Sequence, residues 1–140
     1  MSAVGIARDW WADYIGIPFV EHGRDRSGCD CWGLVRLIYA EQLGIELPSW
    51  NAYRHVMDGG AIYAQLDKVL PLWEPLTIPH AFAVGLFAVG HSRVHVGLFA
   101  DVDRMIHIEK GKDACLQKTT YYLPHLKGIY RWPTLTPSAS

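Results

Sequence analysis

Gly28-Cys29-Asp30-Cys31-Trp32-Gly33-Leu34-Val35-Arg36 is the stretch that decides the fold. Asp30 is a good N-cap residue. Cys31, Leu34, Val35 and Ile38 follow at i, i+3, i+4 and i+7, one face of a helix. The pattern predicts a helix running to about Gln42–Leu43, with Gly44 where a C-terminal glycine belongs. Upstream, residues 23–28 are polar and glycine-bounded and read as a loop. Cys31 therefore opens a helix at a loop-to-helix junction. Unpaired N–H groups and the positive end of the helix dipole favour thiolate over thiol there, so its pKa is expected to fall. The same N–H groups suit a tetrahedral oxyanion.

Working outward, Ser2 can cap a first helix carrying Val4, Ala7, Trp11 and Tyr14 and ending near Gly16 before Pro18. Pro48–Asn51 reads as a loop, and a shorter helix is expected from Ala61 to Leu70, closed by Pro71. From about Trp73 the pattern turns to strands: Phe82–Val89, Val94–Phe99, Met105–Ile108, Ala114–Lys118 and Lys127–Trp132. Helices first and strands after argue for a single α+β domain over residues 1–132, with 133–140 a loose tail.

A thiol nucleophile needs a base, itself oriented by a third group. Of the seven histidines, only His95 and His107 fall in the strand pair. A hairpin folded about Asp101 sets them opposite each other on one face. His95 is the candidate base and His107 its orienting partner.

These residues are similar to a known family. Gly16-Ile17-Pro18-Phe19, Gly23-Arg24-Asp25 and Gly28–Arg36 resemble the nucleophile block of NlpC-type papain-like cysteine peptidases. His95-Val96-Gly97-Leu98-Phe99 resembles the histidine strand, and Arg104-Met105-Ile106-His107 the strand with the third member. The resemblance covers roughly Trp10 to Trp132. It implies a papain-like fold with the nucleophile helix packed on an antiparallel sheet. It also implies cleavage of peptidoglycan stem peptides through a thioacyl-enzyme, typically between D-glutamyl and the diamino acid.

Trp32 followed by Gly-Leu-Val-Arg resembles the phage-type branch. That implies a peptidase on the tail of a phage or phage-like particle, partnered by tail-tip or baseplate hub proteins and assembled in the bacterial cytoplasm. Many family members carry a tyrosine twelve residues before the nucleophile, its hydroxyl supporting the oxyanion site; Phe19 stands there. Losing one such donor costs about 10²–10³ in rate. Asp30, Phe19, Trp32 and Arg24 are the substrate-binding candidates. The alternatives are a structural tail-tip component with a weak or silent site, and an amidase or acyltransferase using the same thiol.

Bulk properties fit this reading. The 140 residues suit one domain, and half are apolar. A formal net charge of −1 with no basic block excludes the usual nucleic-acid footprint. No apolar run approaches the roughly 20 residues of a membrane span, and the N-terminus lacks a secretory signal pattern. Three cysteines, two of them one residue apart, make a poor disulfide framework. Structural zinc prefers wider ligand spacing, so no metal or cofactor is expected.

Overall fold

The computed structural model of the protein describes residues 8–47, 73–89 and 93–133. The elements are a 3-10 turn at Trp10–Tyr14, a two-stranded hairpin of β1 (Arg24–Asp25) and β2 (Gly28–Cys29), then α1 (Cys31–Ile38). Six strands follow: β3 (Glu74–Leu76), β4 (Val84–Val89), β5 (Arg93–Phe99), β6 (Arg104–His107), β7 (Cys115–Lys118) and β8 (Leu126–Arg131). They form one antiparallel sheet in the order β3-β8-β4-β5-β6-β7. The α+β expectation holds, with the helix packed on the sheet.

α1 forms where its sequence pattern places it. Asp30 is extended (φ −96°, ψ −173°) and its carboxylate accepts from the Gly33 N–H at 2.8 Å, which makes it the N-cap. Leu34, Val35 and Ile38 bury against Val84 and Leu86 of β4, Val94, Val96 and Leu98 of β5, and Ile106 of β6. After Ile38 the helix widens into a π turn over Tyr39–Leu43. It closes on Gly44 at φ 68°, whose N–H donates to the Ala40 carbonyl.

The other face of the sheet is also covered. Phe87 and Met105 pack with Tyr122, which sits between two 3-10 turns at Thr119–Tyr121 and Leu123–His125. Burial on both faces explains the near-continuous apolar run of β4. That strand starts at Val84 rather than Phe82, because Phe82 takes a positive φ of 71°. Its position is fixed by the Tyr39 hydroxyl, which donates to the Phe82 carbonyl at 2.6 Å, and by stacking on Trp10.

Three expectations need correction. The polar segment 23–28 folds as the β1–β2 hairpin, with the Asp25 carboxylate accepting from the Ser27 N–H. The described part of the N-terminal segment is a short 3-10 turn, because Asp9 makes no side-chain cap and Gly16 at φ 98° turns the chain away. The β5–β6 register is displaced by two residues, with Leu98 opposite Ile106 and Phe99 opposite Met105. Its turn is built by Asp101, whose carboxylate accepts from the N–H groups of Asp103 and Arg104, which centres it one residue later than expected. The expected helix at 61–70, the loop at 48–51 and the tail beyond Pro133 lie outside the described residues.

Close approach sets one glycine. A Cβ on Gly33 would lie 2.0 Å from the Gly23 carbonyl oxygen, a backbone atom with nowhere to go. Gly33→Ala is therefore expected to destabilise the domain by about 1–3 kcal/mol, read as a lower urea midpoint.

Candidate active site

Three free thiols are present, and their surroundings separate them. Cys29 is buried and its thiol donates to the Asp25 carbonyl at 3.1 Å; burial pushes its pKa up to about 12. Cys115 is exposed on the edge strand β7. Cys31, at the first residue of α1, is 3% exposed. Its sulfur takes hydrogen bonds from the backbone N–H groups of Trp32 and Val96. The paired ladder between β5 and β6 runs over Leu98–Ile106 and Phe99–Met105. Cys31 meets β5 at Val96, the residue next to His95.

The expected direction of the Cys31 pKa is reversed. Burial comes first and the Asp30 carboxylate second, and together they push the thiol up to about 12. The N–H groups of Val96 and Trp32 pull the other way but do not prevail. For a thiol held in this way, any nucleophilic role requires loss of its proton. A base is then required at the reaction step.

His95 and His107 supply that arrangement. His95 Nε2 lies 2.9 Å from His107 Nδ1. The two-residue displacement of register keeps both on one face but makes them diagonal neighbours rather than opposite ones. Gly97 leaves the room: a Cβ there would meet Met105 Sδ at 2.5 Å and the His107 Cβ at 3.5 Å.

Three residues around the pair were not read from the sequence. Gln117 Oε1 lies 2.8 Å from His107 Nε2. Tyr122 stacks on His95, with ring centres 5.7 Å apart at 24°, and presents its face or edge to His107 at 5.1 Å and 78°. The Tyr122 hydroxyl donates to Glu109 Oε2 at 2.5 Å. Burial works to raise the Glu109 pKa, but this bond and the nearby histidines hold it below the usual value.

Asp30 and Arg24, expected to bind substrate, are turned inward instead. Asp30 is 0% exposed and accepts from Gly33 N–H, from His22 N–H at 2.9 Å and from Arg24 Nη1 at 2.9 Å. Arg24 also donates to the Gly23 carbonyl. The pair clamps the loop before Cys31 onto the start of α1. Trp32 is buried in the core, and Phe19 packs half-buried against that core while bridging to Cys29. Phe19 offers no hydroxyl.

His107 gives a pH prediction. Burial lowers its pKa, with Gln117 and Glu109 opposing. Below the ordinary histidine value of about 6.5 the unfolded chain binds a proton that the folded chain resists. The associated stability is present above that pH and lost as pH falls. The urea midpoint is expected to drop between pH 7 and 5, and His107→Asn to remove part of that drop.

Comparison with known proteins agrees with this geometry. Residues 16–71 match the model of the NlpC/P60 family. The gamma-DL-glutamyl hydrolase of Bacillus subtilis (strain 168) is 27% identical over 126 residues, 88% of this chain and 28% of that protein. The chain thus spans little more than a quarter of that relative's length. A Staphylococcus aureus structure described as similar to lipoprotein, NLP/P60 family, aligns with a TM-score of 0.62 at 22% identity, covering 86% of this chain and 38% of that one. The NlpC/p60 domain of the peptidoglycan hydrolase SagA aligns at 0.59 and 18% identity, covering 85% of this chain and 90% of that one. The chain has the papain-like α+β fold of NlpC/P60 domains, and its match to that family runs through the segment that carries Cys31.

Proposed function

We propose that the protein is a cysteine peptidase that cuts peptidoglycan stem peptides, with Cys31 as nucleophile, His95 as base and His107 as its orienting partner. The observation that carries this is the 2.9 Å His95–His107 pair, with His95 on β5 next to Val96, whose N–H holds the Cys31 sulfur. As Cys31 Sγ bonds to the substrate carbonyl carbon, its proton passes to His95. His95 then gives that proton to the departing amine, leaving a thioester. Water attacks the thioester with its proton passing to His95, and the thiol is restored.

The bond we assign is that between D-glutamyl and the diamino acid. The name of the Bacillus subtilis relative, a gamma-DL-glutamyl hydrolase, and that of the SagA peptidoglycan hydrolase support this class of substrate. We also place the protein on the tail of a phage or phage-like particle, docked to tail-tip or baseplate hub proteins. The support is the Trp32-Gly-Leu-Val-Arg variant of the nucleophile block.

Mass analysis of fragments released from purified peptidoglycan tests the reading. New amino groups on the diamino acid are the expected product. A second reading, a tail-tip component with a silent site, is favoured by Phe19 and by the burial of Cys31. Absence of fragments together with a Cys31 that no thiol probe labels would select it.

A further inference from the structure

The hydrogen bonds at the site form a line across three strands. Gln117 on β7 is diagonal to His107 on β6, since Met105 pairs with Gln117 and His107 with Cys115. His107 is in turn diagonal to His95 on β5. Gln117 Oε1, both nitrogens of His107 and Nε2 of His95 are joined at 2.8 and 2.9 Å. We propose that Gln117 is a positioning residue which fixes the order of protons along this line and so keeps His95 in the tautomer that can act as base. The inference rests on the peptidase reading for its consequence, but not for its test.

The argument is one of donors and acceptors. A carbonyl oxygen only accepts, so His107 Nε2 carries its hydrogen toward Gln117. His107 is 1% exposed, and burial favours its neutral ring, which has one N–H. Its Nδ1 is therefore a lone pair and accepts from His95 Nε2–H. In its neutral form the His95 ring then has its lone pair on Nδ1, the nitrogen that the proposed reaction turns toward Cys31. The reverse order would put a hydrogen on His107 Nδ1, then on His95 Nδ1, and the base would start the reaction already protonated. Cys115 Sγ also lies 3.7 Å from His107 Nε2, and as a sulfur it is the weaker partner of that nitrogen beside the amide oxygen at 2.8 Å. Tyr122, stacked on His95, edge-on to His107 and tied to Glu109, packs against the line.

Nitrogen-15 NMR of the imidazole rings reads the tautomers directly, without substrate, in the full chain. The expected result is Nε2–H on both His107 and His95. Gln117→Leu keeps much of the volume and removes the acceptor. It is expected to give mixed tautomers and to slow iodoacetamide alkylation of Cys31 about tenfold at neutral pH, a typical effect of losing an outer hydrogen-bond partner. Gln117→Glu retains an acceptor and is expected to restore Nε2–H, with the His107 titration moved upward. Two results would overturn the proposal: a wild-type His107 carrying its hydrogen on Nδ1, or a folded Gln117→Leu with unchanged tautomers and alkylation profile. The wild-type spectrum decides alone if the variant does not fold. A failure of peptidoglycan cleavage with the expected tautomers would count against the peptidase reading and leave this inference standing.

Discussion

Cys31→Ala is expected to lower peptidoglycan cleavage by about 10⁴-fold or more, to the level set by binding and backbone donors alone. The reason is that, of the three cysteines, Cys31 alone opens α1 and meets β5 beside His95. Cys29 is committed to the Asp25 carbonyl inside the core, and Cys115 stands on β7 with His107, not His95, as its nearest ring. His95→Ala should fall comparably, because a thiol held up at about 12 cannot ionise unaided at neutral pH. The double variant should be little worse than either single one, since the two groups act as a unit. The comparison is made by quantifying released fragments by chromatography. Retention of fold in each variant is checked by thermal unfolding.

Asp30→Ala should give the largest loss of stability at the site, about 3–5 kcal/mol, the usual result of removing one partner from a buried ion pair. Its carboxylate is wholly buried, while the Arg24 side chain it holds is 14% exposed. Truncation would take the carboxylate partner from that guanidinium and the Asp30 acceptor from the N–H groups of His22 and Gly33, and remove the cap of α1. For a domain of this length the melting temperature should fall by roughly 10 °C or more. Asp30→Asn keeps an acceptor and should cost less. It also removes the carboxylate that helps hold Cys31 protonated, so its folded fraction should alkylate faster at Cys31 than wild type. Calorimetry gives the first quantity and timed alkylation the second.

The start of α1 was legible because its signals are local. Asp30 as cap, the apolar face Cys31–Leu34–Val35–Ile38 and the closing Gly44 need no knowledge of the rest of the chain. The histidine pair was legible in part. Even spacing put His95 and His107 on one face, but the turn is organised by Asp101 binding the backbone ahead of it, so the register is displaced by two. An even displacement preserved the pair and made Gly97 the space between them. Gln117, Glu109 and Tyr122 were not legible, since they join the site only through the β6–β7 register and the turn beyond it. The inward turn of Asp30 and Arg24 was hidden for a similar reason. Six residues apart across a hairpin, they have no periodic signature. The thiol's raised pKa is a consequence of burial in the core between α1 and the sheet rather than of any motif.

The central claim is that Cys31 forms the covalent link to substrate, and intact-protein mass spectrometry during turnover of a stem-peptide substrate tests it most directly. The account predicts an added mass equal to the acyl half of the peptide, mapped to Cys31 by fragmentation and absent from Cys31→Ala. Release of fragments with the acyl group on another residue, or undiminished release by Cys31→Ala, would contradict it.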